Sequence, residues 1–374
     1  MLKCDKKKCT GCSLCTLICP KDCIKMVKNE EGFLYPSVNR KKCIDCNLCN
    51  RVCPINNINY KVQAHKAFAL QLKDRKILKG CASGGAFTGL AMHFIENGGY
   101  VCGVCNKRGK LEFNITNNKE ELFEMSGSKY YQCNLSQEIF KKIEKIVKTN
   151  KLLFSGTPCQ ANAIKKYLEF KGQEKNLFTF EILCQGVPSS KVVEKYYKNL
   201  EADTGKKIKK HLFRSKDKFV GKDYLNKYIF EDGSEKLYIG GEDKLCLTFQ
   251  RQIFLRESCY SCKFASDKRM SDFIAGDLWE YDLTKKEIDF KKGVSILITN
   301  SEKALEIFQV CNKFYSEPIE EHLALKNNIP FHKSVKRPIC RNYSYKLLNS
   351  KINFKLLTVI CCFKYYIKQI LKRK

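Results

Sequence analysis

The sequence predicts two structural parts, a small α+β domain at the N-terminus and a larger mixed α/β domain after it. Two dense cysteine arrays lie within the first sixty residues. From about residue 65, apolar runs alternate with amphipathic stretches, which is the pattern of strands followed by helices. The chain has 374 residues, which is enough for more than one domain and for a sizeable core.

The two arrays share the spacing C-x2-C-x2-C-x3-C-P and form an internal repeat. This spacing is typical of paired four-iron clusters, in which the fourth cysteine of each array ligates the other cluster. Zinc knuckles are the alternative interpretation, although zinc sites more often use two separated cysteine pairs. The expected ligands are Cys9, Cys12, Cys15 and Cys53 for the first cluster, and Cys43, Cys46, Cys49 and Cys19 for the second. The N-terminal domain is therefore expected to be a two-cluster ferredoxin-like fold.

Other features of the N-terminal segment fit this small fold. Segments 24–28 and 32–38 predict short strands separated by a turn. Cys4 and Cys23 fall outside the repeat, and we interpret them as packing or incidental thiols. A polar run that ends near Tyr60 is expected to close the domain.

The body of the chain alternates predicted strands and helices, which favours an α/β architecture. Ser83 is expected to cap the first helix, and Gly98 and Gly99 are expected to end it. The predicted strands are 67–72, 100–104, 151–155 and 177–183, the predicted helices are 83–96, 159–170 and 189–201, and a hairpin is predicted over 228–239.

Four cysteines of the body stand in unusual settings. Cys159 follows one predicted strand and opens a helix, and Cys184 stands at the end of the next strand. Cys259 and Cys262 form a C-x2-C pair. Because strand ends in open α/β sheets converge on one edge, the four thiols are candidates for a third cluster, with zinc or unligated thiols as alternatives. Cys102 and Cys105 lie on one apolar strand, where packing is the favoured role.

Two loops are candidates for binding a phosphate-bearing cofactor. Ser83, Gly84 and Gly85 open a helix, where free N–H groups and the helix dipole favour an anion. Ser128 and Lys129 follow a glycine and supply a hydroxyl and a cation. Simple helix capping remains the alternative for such glycine–serine starts.

Charge and composition limit the partners. The net charge of +30 comes from lysine spread along the chain, and no recognition motif accompanies it, so no nucleic-acid partner is expected. An acidic redox partner protein, either a ferredoxin or a catalytic oxidoreductase subunit, fits the basic surface. No segment reaches the roughly 20 apolar residues that span a bilayer, and no secretion signal is visible. Grouped cysteines in a reducing compartment are metal ligands, so we expect a cytoplasmic protein of an anaerobic host.

Several strings in the body resemble the beta subunits of coenzyme F420-reducing hydrogenase and formate dehydrogenase, a family in which N-terminal ferredoxin fusions also occur. The similarity runs in order from about residue 65 to 300. The strings that carry it begin at Ser83 (SGGAFT), Gly127 (GSKY), Phe154 (FSGTPCQ), Leu183 (LCQGVPS), Ser258 (SCYSCKFA), Arg269 (RMSDFIAGDLW) and Lys292 (KGVS).

The resemblance implies FAD in the α/β body beside a [4Fe–4S] cluster, and electron exchange with coenzyme F420 or another acceptor. It implies that Cys159, Cys184, Cys259 and Cys262 ligate that cluster. It also implies flavin contacts from Ser83, Gly84, Gly85, Ser128, Lys129, Thr157 and Gln160. The chain departs from the family at Cys81 and Cys133, where small or hydroxyl residues are more frequent, and at Gln185, which replaces a frequent histidine. No catalytic side chain is assigned, because a flavin itself carries the hydride step.

The expected organisation ends in a basic amphipathic tail. Its apolar residues recur at helical spacing and are flanked by lysines, so the tail is expected either to lie on the inner face of the membrane or to dock on its own domain or a partner. In the docked alternative, Cys361 and Cys362 are buried. The apolar positions are Leu356, Ile360, Phe363, Ile367 and Ile370. The expected domains are 1–60, 61–150, 151–345 and 346–374, of which the second and third are the two halves of the family-like domain.

These observations lead to one main functional hypothesis, an iron–sulfur flavoprotein oxidoreductase. It would move electrons between ferredoxin-type clusters and a two-electron acceptor, such as coenzyme F420, another flavin or deazaflavin, or a small substrate. The alternative is an electron-transfer subunit that has no substrate of its own and docks on a separate catalytic subunit. A nucleic-acid binder that exploits the positive charge is the third and weakest hypothesis.

Overall fold

The computed structural model describes residues 2, 5–58, 66–107, 110–218, 225–279, 281–326, 328–363 and 367. Cys4, the expected domain end at Tyr60 and the last apolar position of the tail, Ile370, lie outside these residues. Within them, a small N-terminal part with two short helices and a hairpin precedes a mixed α/β body. The predicted fold class is confirmed.

The N-terminal part repeats one local structure around each cysteine array. Its elements are α1 (Leu14–Leu17), β1 (Ile24–Lys28), β2 (Leu34–Val38) and α2 (Leu48–Arg51). Each helix follows a residue with left-handed backbone, Ser13 with φ of 64° and Asn47 with φ of 60°. β1 and β2 pair antiparallel as predicted, and β2 begins two residues later than expected because Gly32 lies in the turn with φ of 88°.

The body is built on a central mixed sheet. The strands of the body are β3 (Lys66–Leu72), β4 (Tyr100–Lys107), β5 (Lys110–Thr116), β6 (Leu152–Gly156), β7 (Leu177–Ile182), β8 (Ile208–Leu212), β9 (Leu225–Phe230), β10 (Glu235–Ile239), β11 (Phe273–Asp277), β12 (Ser295–Thr299) and β13 (Phe314–Ile319). In the described part of the chain, eight of them form one sheet in the order β13-β3-β12-β11-β7-β6-β4-β5. The four central neighbours β4, β6, β7 and β11 run parallel, and the outer pairings are antiparallel.

Helices cover both faces of the sheet. They are α3 (Arg75–Lys79), α4 (Ala86–Glu96), α5 (Lys119–Met125), α6 (Gln137–Val147), α7 (Pro158–Lys171), α8 (Ser190–Thr204), α9 (Lys244–Gln250), α10 (Glu302–Val310), α11 (Glu321–Leu325), α12 (Ile329–His332), α13 (Arg341–Leu348) and α14 (Phe354–Cys361). One core packs α4, α5 and α10 on one face, and another packs α6 and α7 on the other. Cys102 belongs to the second core and Cys105 to the first, so the two thiols face opposite sides of β4, as the alternation of a strand predicts.

The start of α4 differs from the prediction. Gly85, with φ of 83°, is the residue that caps the helix, and Ser83 lies before it. The hydroxyl of Ser83 donates instead to the carbonyl of Val294, at a distance of 2.8 Å. The expected Ser83 cap is therefore wrong, because Ser83 is bonded to the residue that precedes β12 and the helix begins only after it.

A second, three-stranded sheet, in the order β10-β9-β8, packs with α8, α9 and the C-terminal helices around one core. The predicted 228–239 hairpin corresponds to β9 and β10. The expected boundary at residue 346 falls inside α13, whose Tyr345 and Leu348 are both in this core. The tail helix α14 docks on the same core through Phe354 and Leu357.

The docked face of α14 is not the stripe that the sequence singled out. Leu356 is 54% exposed and Phe363 is 60% exposed, and Ile360 and Ile367 are exposed as well. Cys361 and Cys362 are buried, as the docked alternative predicts. None of the helices in the described ranges is long and apolar enough to cross a bilayer.

Candidate iron–sulfur and cofactor site

The first thiol set forms where the second array meets the first. Burial raises the pKa of Cys12 to about 12, and the thiols of Cys9 and Cys53 raise it as well. Burial also raises the pKa of Cys15, with further contributions from Cys12, Cys9 and Cys53. Such mutual effects arise only between neighbouring charges. The structure therefore brings Cys53 of the second array to the first three cysteines of the first array.

The second thiol set lies at the surface of the N-terminal part. Burial raises the pKa of Cys49, and Cys46 and Cys19 raise it further, so Cys19 of the first array joins the second array. Cys46 is exposed, whereas Cys9 of the first set is buried. Cys49 also contributes to the raised pKa of Cys15, which places the two sets side by side.

Cys23 is buried and lies beside this set, and its interpretation as a packing thiol stays a prediction. Its sulfur lies 3.3 Å from the sulfur of Cys19. A hydrogen bond with Cys19 is the largest cause of its pKa of about 12, and Cys43 contributes too. The sequence signal was its position four residues after Cys19, immediately before β1.

The third thiol set forms at the carboxyl edge of the parallel strands. β6 and β7 are neighbours, so Cys159 at the start of α7 and Cys184 after β7 meet at one edge. A 3₁₀ turn, Glu257–Ser261, brings Cys259 and Cys262 to the same place. Burial raises the pKa of Cys184 well above its ordinary value, and Cys259, Cys159 and Cys262 all add to the rise. The four predicted cysteines therefore lie together.

The donor chemistry of the three sets fits four-iron clusters. In the first and third sets, thiols that raise one another's pKa cannot all ionise without cations between them, and iron would supply that charge. In a cubane, each thiolate binds a different iron, so the four sulfurs surround a group and not a single ion. Among the residues with a described position, no three His, Cys, Asp or Glu side chains are grouped so that they could hold one metal ion.

The third set borders a large cavity. The cavity has a volume of about 520 Å³, which lies within the range of cofactor sites. All four cysteines of the third set line it, and so does Cys12 of the first set. The flavin candidates that line it are Ser83, Gly85, Ser128, Lys129, Thr157 and Gln160.

Gly84 is not among the lining residues. A Cβ atom at this position would lie 2.3 Å from the Leu70 carbonyl oxygen and 2.4 Å from the Ser295 amide nitrogen. The Gly84 amide donates to the hydroxyl of Ser295 at 2.9 Å. The structure gives Gly84 a packing role between β3 and β12, because only glycine fits there.

Thr157 and Gln160 hold the loop that carries Cys159. The Thr157 amide donates to Oε1 of Gln160 at 3.1 Å, and Nε2 of Gln160 donates to the carbonyl of Cys133 at 2.6 Å. The Thr157 hydroxyl lies 3.2 Å from the sulfur of Cys159. With its amide engaged at both ends, Gln160 fixes the start of α7, and Pro158 at the first helical position supports it.

Lys129 is the cation that the loop places at the cavity. Its ammonium donates to the carbonyls of Met125 and Ser126 at 3.0 and 2.9 Å. Burial lowers the pKa of Lys129 to about 8, with smaller effects from Cys105 and Glu124. The side chain is therefore held in place and changes charge close to neutral pH.

Sequence reasoning missed the charged residues on the other walls. Arg214 and Asp277 form a bidentate ion pair at 2.7 and 2.9 Å, and both line the cavity with Trp279. Asp277 and Trp279 lie in the RMSDFIAGDLW string, whose resemblance to the family is the sequence feature that could have identified them. Arg256 also lines the cavity, and no motif marks it. Of the departures from the family, Cys81, Cys133 and Gln185 all lie on its walls.

A two-array ferredoxin-like part, joined to a mixed α/β body with a third thiol set beside a cavity, defines an iron–sulfur electron-transfer protein. The comparisons with known proteins agree with this class. The chain belongs to the coenzyme F420 hydrogenase/dehydrogenase beta subunit family: the N-terminal model of the family matches residues 67–139, and the C-terminal model matches residues 149–321. A 4Fe-4S dicluster domain model matches residues 8–60.

A solved structure shares the fold. It is a chain of the F420-reducing [NiFe] hydrogenase complex from Methanosarcina barkeri, determined in a study of xenon derivatization. The match has 16% sequence identity and a TM-score of 0.50, and it covers 73% of the present chain and 91% of that chain. No curated protein sequence matches the chain.

Proposed function

We propose that the chain is an iron–sulfur flavoprotein that moves electrons between an external one-electron carrier and a two-electron acceptor. The resident flavin would be FAD in the cavity, and the acceptor would be coenzyme F420, a related flavin or deazaflavin, or a small substrate. The observation that carries the proposal is the position of the third thiol set, which lines the cavity and also neighbours the first set. When bound, the clusters supply one-electron steps and the flavin supplies the two-electron step.

The order of the thiol sets supports a path from the surface to the cavity. Cys46 of the second set is exposed, and Cys49 neighbours Cys15 of the first set. Cys12 of the first set in turn has its pKa raised by Cys159 of the third set, after burial and its own partners. Neighbouring sets are therefore close enough for their charges to interact, which supports a path between them.

The cavity walls supply groups suited to an anionic, ring-bearing cofactor. Lys129 provides a fixed ammonium, and Ser128 provides a hydroxyl beside it. The start of α4 at Gly85 presents free backbone N–H groups at the same cavity. Trp279 and Phe87 offer apolar ring surface. These residues bind and orient, and Thr157 and Gln160 hold the loop of the third set beside them.

The loop of the second set is the proposed docking site for the redox partner protein. Ile44, between two ligands of this set, is 58% exposed. Arg40, Lys41 and Lys42 precede it and are exposed as well. An apolar residue beside three cations fits an acidic partner with an apolar centre, such as a ferredoxin or a catalytic oxidoreductase subunit. The hydrogenase complex that contains the similar solved chain makes a catalytic subunit a natural candidate.

We also propose that the protein is cytoplasmic and that its tail contacts the anionic inner face of the membrane. From residue 346 to 374 the sequence has eight Lys or Arg residues and no Asp or Glu. The exposed stripe on α14 adds apolar side chains to this charge. Vesicles with anionic lipid should sediment the full chain, and Phe363→Glu should release it, whereas Val310→Glu, at an exposed apolar residue of α10, should not. Equal binding by all three proteins would rule out the tail contact.

Anaerobic purification tests the main function. The reconstituted chain should contain FAD and iron, and it should reduce coenzyme F420 when supplied with reduced ferredoxin. Lys129→Met should lower flavin content while iron is retained, and Lys148→Met, at a lysine beyond the end of α6, is the matched control. Clusters without flavin and without turnover would contradict the proposal and favour the alternative, a subunit with no substrate of its own. Tight, salt-sensitive binding of nucleic acid would contradict both.

A further inference from the structure

Arg256 is buried at the junction of the N-terminal part and the body. Its side chain is 1% exposed, although it belongs to the body and follows Leu255, which bridges to Pro188. Its Nε donates to the carbonyl of Cys9 at 2.7 Å, and its Nη2 donates to the carbonyl of Leu34 at 2.7 Å. These contacts tie the first cysteine array and strand β2 to the body.

The charge of Arg256 has no carboxylate partner among the described residues. The guanidinium meets the side-chain oxygen of Gln132 at 3.2 Å and the ring of Tyr35, whose centroid is 4.2 Å away. Arginine stays charged in proteins, and a buried charge is costly unless an anion balances it. The other large buried cation at this junction, Arg341, is balanced by Glu31 at 2.7 Å and also contacts Glu257.

As cluster ligands, the cysteines of the first and third sets would be thiolates, and these would be the anions around Arg256. Its Nη2 is 3.9 Å from the sulfur of Cys9 in the first set. On the body side, the Cys259 amide donates to the Arg256 carbonyl at 2.9 Å, and Arg256 lines the same cavity as Cys159 and Cys259. The guanidinium therefore lies between the first set and the third set, within electrostatic reach of both.

The first array leaves room for this side chain. Gly11 has φ of 72°, and a Cβ atom there would lie 2.9 Å from Nη1 of Arg256. The equivalent position of the second array is Asp45, which is exposed and also has positive φ, of 50°. Both loops need the left-handed conformation, but only the loop that faces Arg256 has glycine.

We propose that Arg256 is a positioning residue that clamps the first array to the body and provides the fixed positive charge between the first and third clusters. This inference rests on the proposed function, because it takes both thiol sets as cluster ligands. A positive charge beside a cluster stabilises the reduced state, which carries one more electron. Arg256 therefore raises the reduction potentials of the first and third clusters relative to the exposed second cluster, and so favours electron flow into the body.

Redox titration of the full anaerobic protein, followed by EPR, tests the inference. Arg256→Gln removes the charge and keeps a polar side chain. Gln132→Glu keeps the arginine and places a carboxylate at its Nη1, and so remains informative where Arg256→Gln does not fold. Arg256→Lys is the conservative variant. Arg341→Gln is the matched control. It breaks another contact between the N-terminal part and the body, the ion pair of Arg341 with Glu31, in which a carboxylate already balances the arginine.

With iron content unchanged, Arg256→Gln and Gln132→Glu should each lower the ratio of reduced to oxidised first and third clusters about tenfold at a fixed potential. This corresponds to a shift of about 59 mV to more negative potential. Arg256→Lys should restore most of the ratio, and Arg341→Gln should leave it unchanged. Full iron with unshifted potentials, or an equal shift in Arg341→Gln, would overturn the inference. Absence of iron in the unaltered chain would instead overturn the proposed function.

Discussion

Substitution of Cys159 by alanine separates the third cluster from the other two. Cys159 is the ligand candidate that opens α7, and it neighbours Cys12 of the first set as well as the rest of its own set. The start of α7 should survive the change, because the Thr157–Gln160 hydrogen bond and Pro158 remain and only the contact between the Thr157 hydroxyl and the sulfur is lost. Removal of one half-buried sulfur costs about 1 kcal/mol of packing, a small part of the stability of a domain.

The expected change is a loss of one third of the iron. Three sets of four thiolates hold about 12 iron atoms per chain when each set carries a four-iron cluster, so Cys159→Ala should lower the content to about 8. Iron and acid-labile sulfide should be measured on protein reconstituted without oxygen, and EPR of the reduced sample should keep the signals of the two N-terminal clusters. Cys102→Ala is the matched control, because this thiol is buried in the core outside all three sets.

The outcomes of this experiment are distinct. Iron that stays at about 12 atoms per chain would show that Cys159 ligates nothing, and the third set would be refuted. A fall to about 4 atoms would mean that the first and third sets share a ligand, which contradicts three independent cages. Zinc in place of iron would refute the cluster assignment of the body altogether.

Three further perturbations test the cavity, the sheet and the junction. Burial lowers the pKa of Lys129 to about 8, so its ammonium is lost as pH rises through that value and FAD affinity should fall roughly tenfold. Lys129→Met should abolish this pH dependence. A pH-independent affinity in the unaltered chain would contradict the role of Lys129 in binding FAD. Gly84→Ala should lower the free energy of unfolding in urea by about 3 kcal/mol, because the added Cβ would push β3 away from β12. Gly98→Ala is the control and should cost about 1 kcal/mol, because Gly98 has φ of 74° but open space around it. Equal costs would refute the packing argument. Glu31→Gln should cost about 1–3 kcal/mol, because the buried Arg341 keeps only its second carboxylate, and an unchanged unfolding midpoint would contradict this.

The sequence predicted most fully what is encoded locally. The hairpin between the arrays follows from short-range pattern, and the structure has it. The structure also places Cys53 near the first array and Cys19 near the second, and their exchange as cluster ligands stays a prediction. For the third set the sequence leaves alternatives open, because Cys184 and Cys259 meet only when β7 and the 3₁₀ turn reach the same sheet edge. That meeting is a property of topology and not of spacing.

Two other features were beyond the reach of pattern. Helical spacing identified an apolar stripe on the tail, but α14 has a second apolar face through Phe354 and Leu357, and the shape of the body core decided which face docks. Arg256 stands alone in the sequence, and a buried arginine is visible only once its surroundings are known. Both cases depend on contacts between residues far apart in the chain.

The two arrays are near copies in their ligands, and the residues between the ligands distinguish their roles. In the first array, Thr10 and Gly11 contact the body. The Thr10 carbonyl accepts a hydrogen bond from Gln132, and Gly11 leaves space for Arg256. In the second array, Ile44 and Asp45 occupy the same two positions and face solvent.

An exchange of these two pairs between the arrays should leave iron content unchanged, since no ligand moves. It should nevertheless slow reduction of the body by an external ferredoxin, because the docking loop would lose its apolar centre and the junction would lose the glycine that Arg256 requires. Unchanged kinetics would show that the path does not depend on which array faces the body.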